Sequence, residues 1–151
     1  MKTLIENAER FMADALAEAR ASLAEGGIPV GAVLVKDGTI IGRGRNRRVQ
    51  SGDPTAHAEI ECLRNAGRLG SYKGAILYTT TMPCHLCAGA IVQFGIDYVV
   101  VGERRNFGGA RSFLKDHWVQ VERLDDDACA DLLGGFIEQH GNIWREDIGE
   151  G

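Results

Sequence analysis

Two short segments rich in metal-binding residue types constrain the fold of this chain more than any other feature. Residues 57–59 read His-Ala-Glu, and residues 83–87 read Pro-Cys-His-Leu-Cys. One imidazole and two thiolates make three protein ligands, the number found in zinc sites that keep a fourth position open for water. Any fold that uses this set must bring two distant segments together around one ion.

The charges of these residues suit a zinc ion. Two thiolates cancel the +2 charge of zinc and the imidazole is neutral, so a water molecule in the fourth position can lose a proton near physiological pH. Cys84 and Cys87 are predicted to lie on the first turn of a helix, where the helix dipole favours thiolates and a three-residue spacing puts both sulfurs on one face. We therefore predict one Zn²⁺ per chain, held by His57, Cys84 and Cys87.

Glu59 has a different predicted role. It lies two positions after His57, and at about 3.6 residues per turn the two side chains would point roughly 200° apart on a regular helix. Glu59 is therefore predicted to stay outside the metal's ligands and to move protons between water and substrate. The order His-x-Glu followed by Pro-Cys-x-x-Cys is the signature of zinc-dependent deaminases.

Less specific interpretations of the same residues remain open. The Cys-x-x-Cys pair alone could be a thioredoxin-like redox pair, and His57 could be a plain buried histidine. Four cysteines could also form a structural zinc site, although Cys62 and Cys129 lack a partner at a suitable spacing and are expected to be small core residues. A non-catalytic zinc-binding scaffold is the corresponding functional alternative.

Composition places the chain among ordinary globular proteins. Its 151 residues favour a single domain over residues 1–151, with 44% hydrophobic and 25% charged residues. A net charge of −4 argues against a long nucleic acid as partner. The local cluster of Arg43, Arg45, Arg47 and Arg48 is expected to be a solvated surface.

The N-terminus does not read as a signal peptide and no apolar run is long enough for a membrane span. A cytoplasmic protein with reduced cysteines is expected.

The pattern of apolar residues predicts alternating helices and strands. A stripe from Leu4 to Leu23 predicts an amphipathic helix that ends at Gly26. Further helices are predicted over residues 56–65, 84–94 and 125–139, with one last helical turn over 143–148. Strands are predicted over residues 30–35, 40–44, 76–80, 98–101 and 118–122. This order predicts an α/β fold, a three-layer α-β-α sandwich around a mixed sheet of about five strands.

The chain resembles the cytidine deaminase-like superfamily, and within it the fungal-type cytosine deaminases. The resemblance runs nearly end to end, and the C-terminal segment Trp-Arg-Glu-Asp-Ile-Gly-Glu is its most discriminating part. The segments that carry it are residues 25–31, 42–46, 67–69, 77–80, 88–91, 101–103, 106–107 and 144–150.

This resemblance implies a small closed pocket for a free nucleobase. In such a pocket the side chain of Asn46 and the backbone N–H of Ala58 would bind the carbonyl oxygen of the base. The carboxylate of Asp147 and the backbone carbonyl of Met82 would face its exocyclic amine, and Glu59 would lie beside the adjacent ring nitrogen. Alternatively, Asn46 could only shape its loop and Asp147 could be a surface charge.

The resemblance also implies that Phe107 and Trp144 close the pocket over the flat base, although both could be ordinary packing residues. The sequence departs from the fungal pattern at Ala58, where the fungal proteins have glycine, and at Met82. The loop at residues 108–112, next to the expected pocket, differs as well. These departures affect the choice of substrate more than the chemistry.

The expected activity is hydrolytic deamination, most simply of cytosine to uracil and ammonia, a reaction of pyrimidine salvage. Residues 53–60 also resemble the tRNA adenosine deaminases. Guanine, another aminated ring, a nucleoside or adenosine in tRNA are therefore alternative substrates. The resemblance further implies a homodimer whose interface lies near the active-site helices.

Overall fold

The computed structural model describes the backbone of residues 2–151 and the side chains from residue 7 onward. Five strands form one sheet: β1 (Gly31–Lys36), β2 (Thr39–Arg45), β3 (Ile76–Thr79), β4 (Tyr98–Val101) and β5 (Gln120–Arg123). Six helices accompany them: α1 (Lys2–Ala24), α2 (Arg48–Ser51), α3 (Ala58–Ala66), α4 (His85–Gln93), α5 (Arg111–Asp116) and α6 (Asp127–Asp147).

The sheet is mixed, with the strand order β2-β1-β3-β4-β5. β1 pairs antiparallel with β2 and β3, whereas β3–β4 and β4–β5 are parallel pairs. The carboxyl ends of β2, β3 and β4 therefore meet at one edge of the sheet. This edge is where the chain passes into the segments that contain the predicted site.

The strands bury side chains on both faces of the sheet. On one face Val33, Tyr78 and Val100 pack in a cluster with α1, and on the other Leu34 and Leu77 pack in a cluster with residues of α3, α4 and α5. α6 contributes residues to both clusters. The predicted three-layer arrangement around a five-stranded mixed sheet is confirmed. Among the helices of residues 2–151, none combines the length and the apolar character needed to cross a bilayer.

Two glycines of β2 fix the position of α3. A Cβ atom at Gly44 would collide with the backbone of Ala58 and Cys62, and one at Gly42 would lie 2.6 Å from the carbonyl oxygen of Cys62. Only glycine permits such a close approach of helix and strand backbones. The N-terminus of α3 is therefore held at the end of β2.

Several predicted boundaries were wrong. The second long helix begins at Ala58 instead of residue 56, because His57 is extended (φ −73°, ψ 156°) and precedes the first helical turn. The last strand begins at Gln120 instead of residue 118, because Trp118 has a left-handed backbone (φ 65°) and is 88% exposed. Leu23 is 40% exposed and does not join the buried stripe; the side chain of Leu4 lies outside the described residues.

The C-terminal part is more helical than predicted. α6 runs to Asp147 with one non-helical residue, His140 (φ −136°, ψ 44°), which separates the predicted helix from the predicted last turn. Two short helices, α2 and α5, were not among the predicted helices. Arg43 and Arg45, expected to be merely solvated, form ion pairs with acidic residues of α1 and the turn after it.

Candidate active site

Two helix N-termini bring the predicted metal ligands together. His57 is the residue before α3, Cys84 is the residue before α4, and Cys87 lies in the first turn of α4. The Nδ1 atom of His57 is 3.4 Å from Sγ of Cys84 and 3.6 Å from Sγ of Cys87. All three ligand atoms lie within 4.8 Å of one another. One nitrogen and two sulfurs at these separations fit a single zinc ion with an open fourth position.

The surroundings of the two cysteines differ in their effect on the thiols. A hydrogen bond with Cys87 lowers the pKa of Cys84 to about 4 despite the partial burial of its side chain, and His57 adds to this effect. The same hydrogen bond and burial raise the pKa of Cys87 well above its usual value. The pair thus holds one thiolate at neutral pH without a metal, and binding of a divalent cation would displace the remaining proton.

The other ring nitrogen of His57 faces Asp147. Nε2 lies 3.2 Å from Oδ1 of Asp147, whose side chain is only 5% exposed. Burial lowers the pKa of His57, but the contacts with Asp147 and Cys84 outweigh it and raise this pKa to about 10. A carboxylate at Nε2 holds the proton of that nitrogen, so Nδ1 is the nitrogen that gives up its proton when a metal binds. This second role of Asp147 was not predicted from the sequence.

Asp147 also keeps acceptor capacity for another group. Its Oδ2 atom lies 3.4 Å from Nδ2 of Asn46. Its Oδ1 atom is buried and, although it is close to Nε2 of His57, it lacks an aligned hydrogen bond. A buried carboxylate oxygen with a free lone pair is well suited to receive an N–H donor from a bound molecule.

Glu59 lies near the predicted ligands but outside their group. Its side chain is 4% exposed, and burial, assisted by the nearby Cys84, raises its pKa to about 7. A carboxyl group that changes protonation near neutral pH is suited to accept and return a proton.

The N-terminus of α3 offers further hydrogen-bond donors. None of the described side chains caps α3, so the first N–H groups of this helix, beginning with Ala58, keep hydrogen-bonding capacity.

Five of the six predicted substrate residues line one cavity of about 20 Å³. The ring of Phe107 meets that of Trp144 edge-on, with ring centroids 5.6 Å apart. Cys87 and Ala58 do not line this cavity, and both are fully buried. The lining consists of Val30, Asn46, His57, Glu59, Thr81, Met82, Cys84, Phe107, Trp144, Asp147 and Ile148.

Three lining residues were not predicted from the sequence: Val30, Thr81 and Ile148. Thr81 and Ile148 adjoin the predicted residues Met82 and Asp147, so their neighbours in the chain could have indicated them. A larger groove of about 730 Å³ lies beside β5 and Trp118, but it contains no group of metal-binding side chains.

Comparison with known proteins agrees with this geometry. Residues 5–103 match the family described as the cytidine and deoxycytidylate deaminase zinc-binding region. The chain belongs to this family. It is a zinc-binding deaminase, and the prediction of one zinc ion held by a histidine and two cysteines agrees with the match.

The relatives of this deaminase act on different molecules. It is 43% identical over 139 residues to a cytosine deaminase of Candida albicans, covering 90% of this chain and 93% of the relative. It is 39% identical over 147 residues to a tRNA-specific adenosine deaminase of Streptococcus pyogenes, covering 89% and 92%. A solved structure from work on tRNA:A34 deaminases superposes with a TM-score of 0.72 at 36% identity, covering 83% of this chain and 99% of that one.

Proposed function

We propose that this protein deaminates a free nucleobase and that its preferred substrate is cytosine, which it converts with water to uracil and ammonia. The observation that carries this proposal is the small cavity lined by Glu59, two of the three proposed metal ligands, the buried Asp147 and the aromatic rings of Phe107 and Trp144. The identity to the Candida albicans cytosine deaminase supports the same substrate.

Glu59 is the proposed proton carrier. Zinc, when bound, supplies positive charge that eases the loss of a proton from water at the open position. Glu59 takes that proton and passes it to the ring nitrogen beside the amine-bearing carbon, while the water oxygen bonds to that carbon. Glu59 then takes the second proton of the same oxygen and delivers it to the amine, whose bond to the carbon breaks, so that ammonia leaves and the carbonyl of uracil remains. Its pKa of about 7 supports both directions of transfer at neutral pH.

Hydrogen-bonding groups of the cavity match the edge of cytosine. Nδ2 of Asn46 and the backbone N–H of Ala58 would donate to the carbonyl oxygen of the base. The free Oδ1 of Asp147 and the carbonyl oxygen of Met82 would accept from the exocyclic amine. Asn46 is held ready for this role because its Oδ1 accepts the backbone N–H of Arg48 and because the residue is buried.

The small size of the cavity favours a free base over a nucleoside or tRNA. Trp144 and Ile148, near the end of α6, and Phe107 form its walls, and its volume of about 20 Å³ is close to the space that one water molecule needs. Small shifts of these side chains would admit a flat ring. A ribose, or a nucleotide within a folded RNA, would need more room than a free base.

A homodimer that buries α4 is also proposed. Leu86 on α4 and Phe94 immediately after it are 44% and 51% exposed. Exposed large apolar side chains on one helix are typical of an interface. Light scattering of the purified protein tests this proposal, since a homodimer has about twice the 16.4 kDa mass of one chain.

A cytoplasmic location and a role in pyrimidine salvage complete the proposal. All four cysteines are free, and metal binding by Cys84 and Cys87 requires reduced thiols. Deamination of free cytosine yields the pyrimidine base uracil, and this is the reason for proposing a role in pyrimidine salvage.

Ammonia release by the zinc-loaded protein tests the proposed substrate. Cytosine, guanine, adenine, cytidine, adenosine and an adenosine-containing tRNA are supplied at equal concentrations. The expected result is the highest kcat/KM for cytosine with little release from cytidine. A higher kcat/KM for tRNA or for a purine base would overturn the assignment of cytosine while leaving the deaminase chemistry in place.

A further inference from the structure

A fully buried carboxylate that the proposed reaction does not use lies just beyond the end of β4. Glu103 has 0% exposure. Because a buried carboxylate is costly unless its oxygens accept hydrogen bonds, its partners indicate what it does.

Its partners come from two segments that reach the substrate cavity. Oε1 of Glu103 accepts a hydrogen bond from Oγ1 of Thr81 at 2.9 Å. Oε2 accepts the backbone N–H of Asn106 at 3.1 Å, and Oε1 also accepts from Nδ2 of Asn106 at 3.3 Å. Thr81 immediately precedes Met82, and Asn106 immediately precedes Phe107. The Glu103 side chain therefore links the two residues that precede Met82 and Phe107 of the cavity lining.

The segment that contains Phe107 is fixed at both ends. On the first side, Nδ2 of Asn106 also donates to the carbonyl oxygen of Ala130 in α6 at 2.9 Å. On the other, the backbone N–H of Ala110 donates to the carbonyl oxygen of Pro83 at 2.9 Å. Between them Gly109 has a φ of +58° and lies against Met82, where a side chain would not fit. Phe107 is thus held on a short loop whose first anchor is Glu103.

We propose that Glu103 is a positioning residue that places the aromatic cover, Phe107, over the base and aligns the Met82 carbonyl with the exocyclic amine. The proposal rests on the proposed function, because it assigns Glu103 a part in binding the same substrate. The hydrogen bonds of Glu103 go to Thr81 and Asn106 and not to a metal ligand, so its effect falls on substrate binding and not on zinc or proton transfer.

The test variant is Glu103→Gln, which keeps the shape but places an amide N–H₂ among hydrogen-bond donors. We expect one zinc per chain, a kcat for cytosine within about threefold of wild type, and a KM raised about tenfold, since a buried donor loses its acceptor. An unchanged KM, or a fall in kcat with no change in KM, overturns the proposal. Loss of zinc from a folded variant also overturns the proposal. If the variant does not fold, Thr81→Val replaces it, with a KM rise of about threefold expected for one lost hydrogen bond and an unchanged KM counting against the proposal.

A double-mutant cycle with Phe107→Leu shows whether Glu103 acts through the aromatic cover. If it does, Glu103→Gln changes KM much less in the Phe107→Leu background than in wild type, because residues that share one interaction are not additive. Asp126→Ala is the matched control: Asp126 caps α6 by accepting the N–H of Cys129, so its loss destabilises the fold without touching Phe107. Its KM is expected to equal that of wild type, and full additivity of Glu103→Gln with Phe107→Leu overturns the proposal.

Fluorescence separates failure of this proposal from failure of the proposed function. Trp144 is buried against Phe107, whereas Trp118 is exposed, so a Trp118→Phe background isolates the signal of Trp144. In that background Glu103→Gln is expected to increase quenching of Trp144 by acrylamide, and Asp126→Ala is not. Wild type without activity on cytosine would overturn the substrate alone, whereas unchanged quenching in Glu103→Gln would overturn the positioning role whatever the substrate.

Discussion

The two sides of the active site are built in different ways. The metal side consists of two helix N-termini, those of α3 and α4, and α3 is held against β2 at glycines that admit no side chain. The covering side consists of the loop that contains Phe107 and the end of α6 beyond the non-helical His140. Backbone packing fixes the first, whereas side-chain contacts hold the second.

This difference separates chemistry from substrate choice. The metal side contains the proposed zinc ligands and the proposed proton carrier, on two helices packed against the sheet. The covering side contains residues proposed to decide which ring fits, on segments held by hydrogen bonds and ring contacts. Changes on the metal side should therefore affect turnover or zinc, and changes on the covering side should affect KM.

The largest expected effect is on the metal side, at Glu59. Glu59→Gln removes the proton carrier but no metal ligand, so zinc content should stay at one per chain while kcat falls about 10³-fold. Glu61→Gln, on the same helix, is the matched control and should keep wild-type activity. Metal analysis together with ammonia release checks both, and a Glu59→Gln kcat within tenfold of wild type would contradict the assigned role.

The chemistry of the metal side could be predicted from the sequence because its residues lie in two short motifs. The spacing predicted that His57, Cys84 and Cys87 would meet and that Glu59 would stay outside their group, and the structure places them so. The start of α3 was predicted two residues too early, because the extended backbone of His57 depends on its tertiary setting and not on helix propensity.

The covering side could be predicted only in part. The resemblance indicated Asn46, Phe107, Trp144 and Asp147, and all four line the cavity. The contact of Asp147 with His57 joins residues ninety positions apart and leaves no local pattern in the sequence. No local pattern in the sequence indicates the burial of Glu103 either, since a glutamate after a strand is more often exposed.

Asp147 contacts His57 on one side of the active site and Asn46 on the other. Its substitution therefore tests whether the two sides act separately. Asp147→Asn should reduce zinc affinity or activity by about 10–100-fold, the usual effect of losing a carboxylate behind a metal-binding histidine. Chelator competition measures the zinc affinity and ammonia release the activity, with Glu146→Gln as the exposed neighbouring control. Unchanged zinc affinity with reduced activity would place Asp147 on the covering side alone.

The smallest effect is expected at Trp144. Trp144→Leu removes the edge-on contact with Phe107, and aromatic pairs of this kind contribute about 0.5–1.5 kcal/mol, so KM for cytosine should rise about 2–10-fold. Zinc content and kcat should stay near wild type, because Trp144 is neither a proposed metal ligand nor the proposed proton carrier. Trp118→Leu, at an exposed position, is the matched control for loss of an indole. A fall in kcat without a rise in KM would mean that the aromatic cover orders the reacting groups as well as the ring, and the separation of the two sides would then be wrong.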